Sequence, residues 1–135
     1  MSAIEPGLWS ALTDDATVSG LVASRVYPFV IPEGVAMPAI VYQRVSTEFV
    51  QDINDASSLS AARAQITSWS ETYLQAKTLS AAVRAVIENF TGTWNSLTVQ
   101  AVDLEDESDI FEPAPSLQQR RRYGVRQDYS MWYAE

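Results

Sequence analysis

Leu8, Trp9 and Leu12, then Val18, Leu21 and Val22, recur at helical spacings, and the pattern predicts two short helices or one broken helix. Pro6 suits a first turn, and Thr13, Asp14 or Asp15 can cap the second segment. Residues 25–31 turn β-branched and aromatic, but Pro28 and Pro32 exclude a regular central strand, so an edge strand or an extended loop is expected. Residues 39–46 (AIVYQRVS) read as the first full strand and residues 61–70 as the second. In the second, Ala62, Ala64 and Ile66 share one face, with Arg63, Gln65, Thr67 and Trp69 on the other. Between them, residues 47–59 are rich in Asp, Asn, Ser and Gln without a period, and read as a long polar connection that is either mobile or ordered against a neighbouring subunit.

The strongest local signal is a helix over residues 72–89. Thr72 followed by Gln75 has the form of a capping box, and Leu79, Val83, Val86, Ile87 and Phe90 make one apolar stripe. Arg84 and Glu88 fall on its wet side, and Gly92 is the expected stop. Residues 94–104 return as a strand, with Leu97, Val99 and Ala101 alternating against Thr98, Gln100 and Val102; both faces are fairly apolar, which suits a central position. Residues 105–119 are acidic, contain Pro113 and Pro115, and read as a hairpin arm or loop. A final strand over residues 120–133 sets Tyr123, Val125, Tyr129, Met131 and Tyr133 against Arg122, Gly124, Arg126 and Asp128. Helices followed by β-β-α-β-β, with no βαβ repeat, predict an α+β fold: a mainly antiparallel sheet packed against helices on one face, in one domain spanning residues 1–135.

Composition narrows the chemistry. The chain has 135 residues with no histidine and no cysteine, which removes Ser-His-Asp triads, thiol nucleophiles, disulfides and the usual zinc sites. Lys77 is the single lysine, so Schiff-base and phosphate-loop chemistry have almost no route. Nine Lys+Arg against 17 Asp+Glu give a formal net charge of -8, which repels phosphate backbones and argues against tight DNA binding. No apolar run approaches the ~20 residues that span a bilayer, and the N-terminus carries an acid where a signal peptide carries positive charge, so a cytoplasmic product without a membrane role is expected.

Two charged groups stand out. Asp103, Glu105, Glu107 and Asp109 fall on alternate positions, so on an extended chain they share a face; they either hold a divalent cation or form a solvated arm, and the glycine and spacing of a calcium loop are missing. A carboxylate-and-lysine nuclease would need Lys77 beside this row, whereas Lys77 falls in the second turn of a helix. Arg120, Arg122 and Arg126 share strand parity and, with Arg121, supply four of the nine basic residues. They pair with the acids of residues 103–109 within the chain, with a neighbouring subunit, or with nucleic acid. Arg120, Arg121, Arg122 and Arg126, with Glu105, Glu107, Asp109, Asp52 and Asp55, are the candidate oligomer and partner contacts; no catalytic, cofactor or metal residue is assigned. Trp69 has polar-face parity, so it either packs under another element or anchors an interface.

Three stretches carry a resemblance: VYPFVIPEGVAMPAIVYQRVS (residues 26–46), ITSWSETYLQAKTLSAAVRAVI (residues 66–87) and YGVRQDYSMWYAE (residues 123–135). With Tyr27, Pro28, Gly34, Pro38, Tyr42, Gln43, Trp69, Tyr73, Ala76, Asp128, Trp132 and Tyr133 in the patterned places, the chain resembles the tail-completion and tail-terminator family of long-tailed bacteriophages and prophages. The resemblance implies a non-catalytic virion protein without cofactors. It would form a homo-oligomeric ring, hexameric by expectation, at the head-proximal end of the tail tube, stop tube polymerisation and offer a docking surface to the head connector or a head-completion protein. It would reside in the host cytoplasm during assembly and then at the tail–head junction, with DNA passing unbound through the lumen; an acidic lumen would keep DNA from sticking. The competing readings are a neck or head–tail adaptor or minor tail protein of the same particle, an unrelated cytoplasmic protein-binding module, and a metal-dependent enzyme built on the acidic row.

Overall fold

Among the described residues, three helices lie on one face of a six-stranded sheet ordered β1-β2-β3-β6-β5-β4. The elements are α1 (Ile4–Asp14), α2 (Ala16–Val22), β1 (Val26–Pro28), β2 (Ala39–Gln51), β3 (Ser58–Ser70), α3 (Tyr73–Ile87), β4 (Gly92–Trp94), β5 (Leu97–Glu112) and β6 (Arg122–Ala134). A computed structural model describes residues 4–32, 34–51, 58–94, 97–114 and 121–134. All pairings are antiparallel except β1 with β2. The α+β architecture read from the pattern is therefore the one observed.

The helices form where local chemistry starts and stops them. Asp15 holds an extended backbone and its carboxylate accepts the Val18 N–H at 3.0 Å, so it both ends α1 and caps α2, which resolves the broken-helix pattern into two helices. At α3, Thr72 Oγ1 accepts the Gln75 N–H at 3.2 Å, but the Gln75 side chain pairs with Ser70 Oγ instead of returning to the Thr72 N–H, so only half of a capping box forms. The helix stops at Glu88, followed by Asn89 at φ 61; Gly92, the expected stop, opens β4 at φ 145. Asparagine tolerates the left-handed turn because its short polar side chain bonds locally. Leu79, Val83 and Ile87 are fully buried against the sheet, each contributing about 1.5–3 kcal/mol, with Val86 and Phe90 at the margin of the same core.

The sheet differs from the pattern in length and parity. Backbone pairing continues through Glu48↔Ala61, Val50↔Leu59 and Gln51↔Ser58, so the polar connection over residues 47–59 shrinks at both ends into one long hairpin. Polar side chains do not stop a ladder whose backbone groups still pair. The strand expected over residues 94–104 divides: Trp94 closes β4, and β5 runs on to Glu112, so the acidic stretch is a strand arm paired with β6 along its length. Bulges between Val99 and Ala101 and between Leu104 and Asp106 reset which residues face the helices. Val102 is thus buried while Ala101 lies on the open face opposite Trp132.

The core lies between the helices and the face bearing Tyr42, Ala62, Ala64, Ile66, Tyr129, Met131 and Tyr133. β2 and β6 run one way, β3 and β5 the other, so the β2–β3 and β5–β6 hairpin tips lie at opposite ends of the sheet. β1 covers only Ile40–Tyr42 of β2, and β4 covers only residues 97–99 of β5. Among the described residues, β2 from Gln43 onward and β5 from Asp103 to Glu112 have no outer strand. No helix of the described residues is long and apolar enough to cross a membrane.

Candidate assembly interfaces

The acidic arm is fastened to α3 by its own carboxylates. Asp109 accepts hydrogen bonds from the Tyr73 hydroxyl at 2.7 Å and the Lys77 ammonium at 2.8 Å. The bond to Asp109 is the largest influence pushing Lys77 up to about 12, and the reciprocal bond from Lys77 holds Asp109 below the usual carboxylate range. One step along, Glu107 accepts from the Gln127 amide at 3.2 Å and lies 3.9 Å from Arg84. Arg84 also pairs with Glu88 one turn on, and that hydrogen bond raises Arg84 and lowers Glu88. Beneath the arm, the fully buried Gln127 donates to the Ser80 carbonyl at 3.2 Å and accepts from the Tyr129 hydroxyl at 3.1 Å; burial pushes the Tyr129 phenol well above the ordinary tyrosine value.

This geometry redistributes the expected charge rows. The Leu104/Asp106 bulge breaks the alternation, so Glu107 and Asp109 turn toward α3, Asp103 lies on the open face, and Glu105 sits exposed at the bulge. The acids therefore do not share a face, and among the described residues no three of them converge on a cation site. Lys77, placed away from the acids by sequence, lies directly on Asp109, because the arm runs alongside the first turns of α3. Arg122 pairs with Glu112 at 2.8 Å, outside the acids of residues 103–109, and its guanidinium stacks 4.7 Å from the Trp69 ring centre. Arg126 stands opposite Ser108, with its Nε buried and without a hydrogen-bond partner among the described residues. Arg121 is exposed at the arm's tip; Arg120, Asp52 and Asp55 lie outside the described residues. Trp69 packs under no helix, lying instead on the open face across from Gly124.

Two long hairpins on a helix-backed sheet, with charges spent on fixing an arm, form a scaffold with surfaces for other proteins. The family comparison decides which: the model of tail completion protein gp17 matches residues 6–134. The chain belongs to the tail completion protein gp17 family. The fold is also that of a chain in the virion of a native gene transfer agent particle, at a TM-score of 0.71 and 12% identity over 98% of this chain and 96% of that one. A comparison with curated proteins found no match. This tail completion protein is a structural tail component of a phage-type particle.

The tail completion protein also exposes apolar groups that periodicity did not reveal. Phe29 and Val30 are 69% and 71% exposed just beyond β1. Phe29 sits in the left-handed region at φ 65, held by its N–H bond to the Tyr42 carbonyl at 3.0 Å, a conformation that costs a bulky residue about 1–3 kcal/mol. At the tip of the arm, Tyr73 meets Tyr123 edge-on at 6.1 Å and Phe111 lies tilted against Tyr123 at 5.1 Å, and beside them Glu71, Thr72, Phe111, Pro113, Ala114 and Arg121 line an open groove of about 600 Å³. A second cleft of about 520 Å³ lies where α1 and α2 meet the end of α3, floored by Ala82, Val86, Phe90 and Trp94 and edged by Asp14 and Asp15. Single exposed aromatics have no period to detect; only composition, with four Trp, six Tyr and four Phe in one small chain, hinted at them.

Proposed function

We propose that this single-domain chain is the ring-forming terminator of the tail: copies close head to tail on the head-proximal end of the tail tube, stop its growth and present a docking surface to the head connector. The family match carries the reading, and the two unpaired sheet edges support it. A ring needs two different, complementary surfaces per subunit. β2 and β5 lie toward opposite edges and run in opposite directions, so an edge contact between successive copies would be antiparallel, with both edges bare at the level of residues 43–46 of β2 and 103–106 of β5. Long bare edges invite pairing in a free monomer, and the six acids of β5 make such an edge soluble until its partner arrives.

The ring has six copies on this reading, no catalytic role, and DNA passing through its lumen without specific contact. The helix-free face carries Arg63, Arg122 and Arg126 with Asp103, Asp106, Asp128 and Glu112, a near balance that gives a passing duplex little continuous attraction. Native mass spectrometry across a concentration series, with and without purified tail-tube ends, tests the proposal. A closed ring in either condition is the expected result; a monomer in both removes it. Particles lacking the protein should carry overlong tails, whereas headless tails of normal length would assign it to the neck instead.

A further inference from the structure

We propose that the cleft where α1 and α2 meet the end of α3 receives a basic, apolar-anchored segment of another protein of the particle: an aliphatic side chain on the floor, and an arginine or lysine a residue or two away at the rim. The inference goes beyond the ring reading, because none of the residues lining the cleft lies on β2 or β5. At about 520 Å³ the cleft falls within the ~300–1,000 Å³ typical of binding pockets. Its floor is already in place. Val83 and Ile87 lock α3 onto the sheet by full burial, Val86 and Phe90 lie half-buried beside them, and Phe90 stacks on Trp94 with ring centres 4.8 Å apart. An apolar side chain entering there meets a surface whose ordering cost was met in folding.

Charge selects the occupant. The lining includes two carboxylates, Asp14 and Asp15, and no base. Asp14 is exposed and takes no hydrogen bond or ion pair from any described residue. It stands on the last residue of α1, whose last turn has no basic side chain, so a carboxylate lies beside the negative end of that helix, where a cation is favoured. Asp15 spends Oδ2 on the Val18 N–H and keeps its other oxygen. The chain's own described bases are placed elsewhere. Arg25 bonds the Pro38 carbonyl, and Arg44, Lys77, Arg84 and Arg122 pair with Glu5, Asp109, Glu88 and Glu112. Arg63 and Arg126 lie on the helix-free face, and Arg121 edges the groove at the arm's tip. Two copies at a net charge of -8 also repel, whereas a basic segment of another protein is drawn to this rim.

The test titrates the purified full chain with the peptide acetyl-Leu-Gly-Arg-amide, its uncharged citrulline analogue and its Gly-Gly-Arg analogue, and follows the methyl NMR signals of Ala82, Ala85 and Val86. The first peptide should shift these methyls saturably, and each analogue should bind about fivefold more weakly. Asp14→Asn should bring the arginine peptide down to the citrulline level. Equal affinity of the arginine and citrulline peptides, or shifts that follow the β5 acids and leave the cleft methyls in place, would overturn the proposal. Ala85 is exposed, so Ala85→Trp fills the cleft without entering the core. It should weaken the peptide by roughly tenfold or more with no loss of thermal stability; undiminished binding would overturn the site. Ring formation by Ala85→Trp, read by native mass spectrometry beside the unmodified protein, should be unchanged. Rings lost in the variant alone would make a second copy the occupant and overturn the assignment to another protein. Rings absent from both would remove the ring reading and leave the peptide result to decide the cleft.

Discussion

Gly124 and Trp69 face each other across β3 and β6, and a Cβ built on Gly124 would lie 2.8 Å from the indole atoms Cε3 and Cζ3. That distance is below any ordinary carbon contact, so the glycine is required by the ring that covers it and not by its backbone angles. Gly124→Ala should destabilise by about 1–3 kcal/mol in urea unfolding, and most of that loss should vanish in a Trp69→Ala background, where nothing remains to collide with. Equal loss in both backgrounds would mean the strand resists alanine for another reason. Gln127 makes the opposite case, a polar side chain on the apolar parity of β6. Sequence alternation passed over it between Val125 and Tyr129, yet it is fully buried and holds the Ser80 carbonyl, Glu107 and the Tyr129 hydroxyl. Gln127→Leu keeps the volume and leaves the buried Tyr129 hydroxyl without its acceptor and Glu107 without its amide donor, an expected cost of about 1–3 kcal/mol by thermal or urea denaturation.

α3 and the arm behave as one unit because Asp109 joins them. Its carboxyl is held below its ordinary value, so its contribution exists above about pH 4 and fades as pH falls through the lowered value. Lys77, raised to about 12, contributes below about pH 10.4 and loses that contribution as pH rises through 12. A thermal-melt cycle over Lys77→Met and Asp109→Asn should therefore show a small favourable coupling that is flat from about pH 5 to 9 and absent near pH 2, small because both groups are exposed. Coupling that persists at pH 2 would exclude the ion pair as its source. None of this joint was legible in the sequence, which placed Lys77 on a helix and Asp109 on an arm without a means to bring them together. The elements were legible where a period persisted: the α3 stripe, the Ala62-Ala64-Ile66 face and the two N-terminal helices all stand as read. Parity failed along β5, because a bulge leaves no trace in hydrophobic alternation except a break that composition also explains. The length of the β2–β3 hairpin was hidden for a related reason: its outer ladder is held by backbone groups, and side-chain pattern reports only the face that touches a core.

A ring of chains each carrying a net charge of -8 must overcome its own repulsion, and that repulsion and any charge pairing across the joint affect closure in opposite senses as salt rises. Repulsion acts between whole subunits over tens of ångströms. At about 10 mM salt the screening length is about 30 Å, long enough for neighbouring subunits to oppose each other, whereas at about 150 mM it is about 8 Å and the subunit charges are largely hidden. Local attraction between opposite charges across the joint acts over a few ångströms, so it survives physiological salt and weakens only as the screening length nears about 3 Å at 1 M. Apolar contact at the joint is not screened at all. Ring formation should accordingly strengthen from about 10 to about 150 mM salt and then weaken modestly toward 1 M, a biphasic curve measurable by sedimentation velocity at fixed protein concentration. A steady weakening from the lowest salt upward would mean that short-range charge pairs alone close the ring, and that apolar contact contributes little to it.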